Sequence, residues 1–354
     1  MVVRRRAPAL PIPTSLLRYT GLVLAAALAA LLAAPPAARA VEETYVAELL
    51  YSRVNVFART ATGDVTPLRS IQGPATGLVN PIGIAVDEVH GELFVVDSYT
   101  KAISVFPLGA DGDTVPLRTL GGPATGLVNP IGVVVDAGHG EIFVADYDPA
   151  AGVKVFSRTA AGDTAPLRTL TSVNRCTYLA LDPLHDELVV AATYDGVVKV
   201  FDRAASGAAA PLRQLWGGVT GINEPRGIAV DLANDELLVG DAYNYSIRVF
   251  ARTATGNVAP LRVIQGPLTN LAWPHGIFVD PLHGEILVAN RSGGNTSAMA
   301  VFDRLAEGSV APLRTVAGLD TGLFWSTDVA VIAHAVFDDG FESGDGSSWS
   351  GGTE

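Results

Sequence analysis

Apolar residues along this chain fall in short runs, not in long amphipathic stretches. Val, Ile, Leu and Phe fill the runs, and Gly, Pro, Asp or Asn separate them, which is the pattern of strands joined by turns. No segment sustains a 3.6-residue apolar period bounded by helix caps. In the first complete unit the runs are Ile84–Asp87, Glu92–Asp97, Ala102–Phe106 and Pro116–Leu120. Four strands, here called A to D in order, are therefore predicted per unit.

The unit recurs. Phe follows Val at Phe57, Phe106, Phe156, Phe201, Phe250 and Phe302, with spacings of 49, 50, 45, 49 and 52 residues. Ten residues after each Phe comes Pro-Leu-Arg, beginning at Pro67, Pro116, Pro166, Pro211, Pro260 and Pro312. Eighteen residues after the Arg, the strand A run ends at Asp87, Asp136, Asp231, Asp280 and, in the last copy, Ile332. The third unit spans only 14 residues, from Arg168 to Asp182. Four short strands in a repeat of about 40 to 50 residues are the signature of a propeller blade. The fold expected over residues 41–337 is all-β, a six-bladed β-propeller of four-stranded antiparallel blades.

The two ends fit a closed ring. Asp328–Ile332 has the character of strand A but lacks strands B to D. Tyr45-Val46-Ala47-Glu48 aligns with Phe94-Val95-Val96-Asp97, because Glu48 and Asp97 both sit nine residues before their Phe. The last blade is thus expected to take strand A from the C-terminal part and B, C and D from the N-terminal part, leaving no free sheet edge. A linear solenoid, the alternative, would leave both incomplete ends unexplained.

The segment Asn80–Phe106, NPIGIAVDEVHGELFVVDSYTKAISVF, resembles an NHL repeat, and Glu224–Phe250, EPRGIAVDLANDELLVGDAYNYSIRVF, is at least as close. The resemblance covers roughly residues 45–337 and implies a six-bladed propeller. For function it implies little, because such propellers serve as binding platforms, lyases and lactonases alike. The third unit departs from the pattern: Cys176 and Tyr178 stand where the first unit has Pro81 and Gly83.

Residues 1–40 read as an export signal. Arg4, Arg5, Arg6 and Arg18 form a positive n-region, Gly21–Ala34 is an apolar run of 14 residues, and Ala38-Arg39-Ala40 is a small-x-small cleavage pattern. The run suits a signal core and is short for a membrane span. Cleavage is expected after Ala40, and the protein is expected to be periplasmic or secreted. No membrane span is expected after signal removal. Residues 338–354, acidic and rich in Gly and Ser, read as a flexible tail.

Composition narrows the classes further. With 49% hydrophobic and 17% charged residues the chain is not a disordered one. One cysteine excludes a disulfide scaffold. The formal charge of −12 argues against nucleic-acid binding, which needs a basic face. The leader holds five arginines and no acid, so the mature chain has 19 basic against 36 acidic residues, a formal −17.

Antiparallel strand order sorts the polar residues onto two faces. Turns A–B and C–D lie at one end of each blade, and turn B–C with the D-to-A connection lies at the other. The A–B end carries Asp-x-x-His at Asp87/His90, Asp136/His139, Asp182/His185 and Asp280/His283, with Asn234 replacing the histidine after Asp231. Exchange of His with Asn fits a tight turn, not a metal ligand. Gly63-Asp64, Gly112-Asp113 and Gly162-Asp163 resemble calcium-loop fragments but lack the further oxygen ligands Ca²⁺ requires, and so read as C–D turns. The Pro-Leu-Arg arginines are expected on the outermost strand, pairing with neighbouring acids.

The other end varies from blade to blade. The position between Pro and Gly is Ile82, Ile131, Thr177, Arg226, His275 and, in the last unit, Thr327. Glu224, Trp273 and Trp325 stand just before it, and the B–C turns add Tyr99, Tyr147, Tyr194 and Tyr243. Asp97, Asp146 and Asp241 are expected to cap those turns through backbone N–H groups. The candidate ligand site is therefore Arg226, His275, Trp273, Glu224, Tyr243, Tyr99, Tyr194 and Trp325, at the mouth of the channel.

Two functions compete. One is a non-enzymatic binding or protein-interaction scaffold, monomeric, taking a protein, a peptide or a small polar ligand. The other is a metal-dependent lyase or lactonase. The variable face offers one histidine, His275, too few for a typical zinc site, so a calcium site there would have to be built from carboxylates such as Glu224 and Asp241. No catalytic residue, metal ligand or cofactor is assigned.

Overall fold

The computed structural model describes residues 42–291 and 298–332. The expected leader and tail lie outside the described residues. Six four-stranded antiparallel sheets are arranged as blades, each ordered A-B-C-D, with neighbouring strands A in contact around a central channel. Strand A of blades 1 to 5 is Pro81–Asp87, Pro130–Asp136, Cys176–Asp182, Pro225–Asp231 and Pro274–Asp280. Each begins earlier than the apolar run alone suggests, and a register shift follows its first residue. Blade 6 closes the ring as expected. Its strand A is Ser326–Ile332, paired with Glu43–Glu48, and Arg53–Ala58 and Arg69–Ile71 complete the sheet. Among the described residues no helix is long and apolar enough to cross a membrane.

The repeated Phe explains why six units pack as one body. Phe57, Phe106, Phe156, Phe201, Phe250 and Phe302 are all fully buried. Each clusters with apolar side chains of the preceding blade: Phe201 of blade 3, for example, packs with Phe143, Val153 and Val155 of blade 2. Burying one such ring removes enough apolar surface from water to stabilise by about 2 to 3 kcal/mol. The core is therefore six inter-blade layers.

Arginines stitch the outer strands. Arg69, Arg118, Arg168, Arg213, Arg262 and Arg314 each pair with the Glu that opens strand B of the same blade: Glu43, Glu92, Glu141, Glu187, Glu236 and Glu285. A second arginine, two residues after the blade's Phe, reaches the preceding blade's Glu, as in Arg158 to Glu92 at 2.5 Å and Arg203 to Glu141 at 2.8 Å. Arg252, Arg304 and Arg59 do the same. Blade 1 has Leu108 at that place, and its carbonyl accepts from Tyr45 Oη at 2.8 Å and Arg69 Nη2 at 3.0 Å.

The segment between strands C and D is more than a turn. In every blade its glycine forms a parallel bridge with strand D of the preceding blade, as in Gly112 with Ile71. In five of the six blades the next residue then accepts a backbone N–H of the preceding blade's D-to-A connection, as in Asp113 from Ala75 and Asp163 from Ala124, both at 2.6 Å; blade 3 has Ala208 there. Each outer edge strand is thereby covered by its neighbour. The Gly-Asp pairs serve this clasp. The Asp-x-x-His segments are A–B turns, with His90 Nδ1 2.8 Å from Asp87 and Asn234 Nδ2 donating to Asp231 at the same distance.

Candidate functional site

In four of the six blades an acid at the end of strand B holds the B–C turn and the D-to-A connection in place; blade 3 has Ala192 and blade 5 has Asn290 there. Asp97 accepts from the amides of Val79 and Asn80 and from Tyr99 and Thr100. Asp146, Asp241 and Glu48 occupy equivalent places and take equivalent amides. These acids tie two loops together, not one. Burial raises the Glu48 carboxyl's pKa, against the opposing pull of its backbone N–H donors.

This scaffold presents aromatic rings to solvent. Tyr99 (70% exposed), Tyr194 (64%) and Tyr243 (65%) stand on three B–C turns. Tyr51, Tyr245, Trp216 and Trp273 are also exposed. All seven belong to B–C turns or D-to-A connections, so every exposed Tyr and Trp among the described residues lies on one face. The corresponding exposed apolar residues of the A–B turns are aliphatic: Val89, Leu184 and Leu282. Arginines stack on three rings of the aromatic face, Arg175 on Tyr194 at 4.2 Å, Arg53 on Tyr51 at 5.0 Å and Arg291 on Trp325 at 5.2 Å.

The residues expected at the channel mouth separate into two groups. Arg226 is partly exposed and paired with Glu224, Nη2 to Oε1 2.5 Å. Trp325 is half-buried and Trp273 is exposed, with a left-handed φ of 51°. His275 is fully buried beside Tyr178, ring centroids 6.3 Å apart. Neither of its ring nitrogens has a hydrogen-bond partner, and burial with nearby Arg226 and Arg291 holds its pKa well below the usual value. Ile82, Ile131, Thr177 and Thr327 are buried too. They form a plug, not a rim.

One layer below, each of the six strands A continues with a residue whose identity sets the width of the channel. Four are glycines, Gly83, Gly132, Gly227 and Gly276, each so close to the next blade that a Cβ would collide with its backbone or side chain. The other two positions are Tyr178 and Asp328. Tyr178 spans the channel from blade 3 and donates its hydroxyl to the Thr327 carbonyl of blade 6 at 2.6 Å. Asp328 accepts from the amides of Ile84 (2.9 Å) and Val329 (2.9 Å), and burial pushes its pKa up to about 7. Beyond this layer a cavity of about 340 Å³ runs toward the A–B face, lined by strand A residues from all six blades.

Cys176 lies buried in blade 3, against the carbonyls of Asp146 and Gly152 at 3.5 Å, with its pKa pushed by burial to about 12. Such a thiol is no nucleophile. Among the described residues no three or more His, Cys, Asp or Glu side chains are grouped so as to hold a metal ion.

The architecture defines the class: a six-bladed β-propeller. Within it, residues 223–250, which form most of blade 4's first three strands, match the family model of the NHL repeat. No curated protein matches the sequence. Solved structures share the fold at low identity. A chain in the crystal structure of a nidogen/laminin complex is 16% identical, with a TM-score of 0.59 over 84% of this chain and 99% of that one. A protein of unknown function from Bacteroides caccae is 12% identical, with a TM-score of 0.58 over 83% and 99%. A functionally unknown protein from Desulfotomaculum acetoxidans is 13% identical, with a TM-score of 0.51 over 77% and 79%.

Proposed function

We propose that this protein is an exported, non-enzymatic propeller that binds a protein or peptide through the face built from B–C turns and D-to-A connections. The observation that carries this reading is the confinement to that face of all seven exposed Tyr and Trp side chains among the described residues. Tyr and Trp present large rigid surfaces with a polar end and little rotamer entropy to lose, and they dominate binding hot spots. The rings rest on loops pinned by buried acids, so the surface is preorganised. The fold also occurs in a chain solved within a nidogen/laminin complex.

The test is selection of peptide binders from a displayed library, followed by two triple variants. Tyr99→Ala/Tyr194→Ala/Tyr243→Ala should weaken binding of selected peptides at least about tenfold, equivalent to about 1.4 kcal/mol. Val89→Ser/Leu184→Ser/Leu282→Ser, on the opposite face, should leave it unchanged. The reverse pattern would assign binding to the A–B face and end this proposal. Fractionation that finds the protein in the cytoplasm would remove its exported part.

A further inference from the structure

The blind channel has the makings of a second site, independent of the aromatic face. Its wall is aliphatic along its length, with Val86, Val135, Leu181 and Val230 beside Phe278, and the exposed Glu88 stands at its open end on the A–B face. Its closed end is not aliphatic. Of the six positions that narrow the channel, the two that are not glycine, Tyr178 and Asp328, are the two that line the cavity. The Tyr178 hydroxyl is engaged by the Thr327 carbonyl. The Asp328 carboxyl accepts two amide N–H groups, Ile84 to Oδ2 and Val329 to Oδ1. A carboxylate can accept about four hydrogen bonds, so two acceptor directions remain. Among the described residues no Lys, Arg or His lies within ion-pair distance of it, whereas Asp87, Asp136, Asp182 and Asp280, at the far ends of other strands A, each have a histidine partner.

A buried carboxyl at the end of an apolar well, without a cation of its own, is a receptor for one. We propose that the channel binds a slender, mainly apolar primary amine entering from the A–B face, with its ammonium group on Asp328 and its apolar body along Val86, Val135 and Val230. A volume of about 340 Å³ falls in the range of small-ligand sites. The aliphatic wall selects against polar bodies, since any hydrogen bond they make with water is lost on entry. The carboxyl selects against acids by repulsion. Alcohols bring no positive charge, so the buried carboxylate stays without a counter-ion.

The experiment titrates the full protein with 2-phenylethylamine, 2-phenylethanol and phenylacetate, followed by calorimetry and ligand-observed NMR. The amine should bind at least about tenfold more tightly than the alcohol, and phenylacetate should not bind. Asp328→Asn should abolish the preference for the amine while leaving the alcohol's affinity unchanged. If that variant does not fold, Val230→Phe, at a half-buried point of the wall, serves in its place and should exclude amine and alcohol together. Equal binding of amine and alcohol by the unaltered protein overturns the proposal. So does failure of the amine to bind, or amine binding unaffected by the substitution that folds.

Discussion

Asp328 makes stability depend on pH in a direction opposite to that of most carboxylates. Its ordinary pKa of 3.8 rises in the folded protein to about 7, because burial penalises the charged form more than the Ile84 and Val329 amides favour it. The folded state therefore holds a proton that the unfolded state has released. The associated stability is full below the unfolded pKa and is lost as pH rises through the folded one. Each pKa unit corresponds to about 1.4 kcal/mol, so the loss between about pH 5 and about pH 8 comes to roughly 2.5 kcal/mol. Neighbouring groups do not titrate in this window: burial raises the Tyr178 pKa well above its usual value, and His275 is held well below. Asp328→Asn removes the titration and adds a pH-independent cost of about 1 to 2 kcal/mol for the amide facing a backbone N–H. Urea unfolding of both proteins at the two pH values gives the double difference, in which all other titrating groups cancel. The variant should gain on the native protein by about 2.5 kcal/mol between the lower and higher pH. A difference that stays constant within about 0.5 kcal/mol would show that the carboxyl is already ionised when folded, and the burial argument would be wrong.

Other expectations follow from the packing. Phe201→Ala should cost about 3 to 5 kcal/mol in denaturant unfolding, because it empties a position packed between blades 2 and 3. A cost near that of an exposed residue would mean the layers relax freely. Gly227→Ala should prevent soluble expression or lower the melting temperature far more than Gly284→Ala, since a Cβ at Gly227 would meet the His275 carbonyl whereas Gly284 faces open space. Gly284→Ala should still cost about 1 kcal/mol, because its φ of 65° disfavours a side chain. Cys176 should resist alkylation by iodoacetamide in the folded protein and react after unfolding, readable by mass spectrometry. Rapid modification of the native protein would contradict its burial.

Whatever repeats six times was legible in the sequence. The invariant Phe, the Pro-Leu-Arg offset and the displaced first strand specify the blades, their number and the closure by Glu43–Glu48 and Ser326–Ile332. Local turn chemistry was legible as well, as at His90 and Asn234. The second set of arginines carries a plain signal, an Arg two residues after Phe in five units, but its partner is on another blade, and nothing local in the sequence names it. The C–D clasp was hidden for the same reason, since Asp113 looks like part of a turn until Ala75 is brought to it. The channel mouth was harder still. A register shift near the start of strand A breaks the simple alternation of side chains, so the Pro-x-Gly pattern places His275 at the mouth without indicating its burial. Tyr178 stood out as a substituted glycine, yet its reach to Thr327 joins residues from nearly opposite sides of the ring.

Blade 6 pairs Glu43 with Ile332, and so joins the first described strand to the last. During synthesis strands B to D of that blade are made first and their inner partner last. Until it arrives, Glu43–Glu48 presents a bare hydrogen-bonding edge, and the chain must close a loop almost as long as the propeller itself. Closure is thus a late, entropically costly event, and a chain truncated before Ser326 would retain an open edge that invites pairing with another molecule. The protein's vulnerability is concentrated in the interval before its ends meet, when a holdase on Glu43–Glu48 would protect it most.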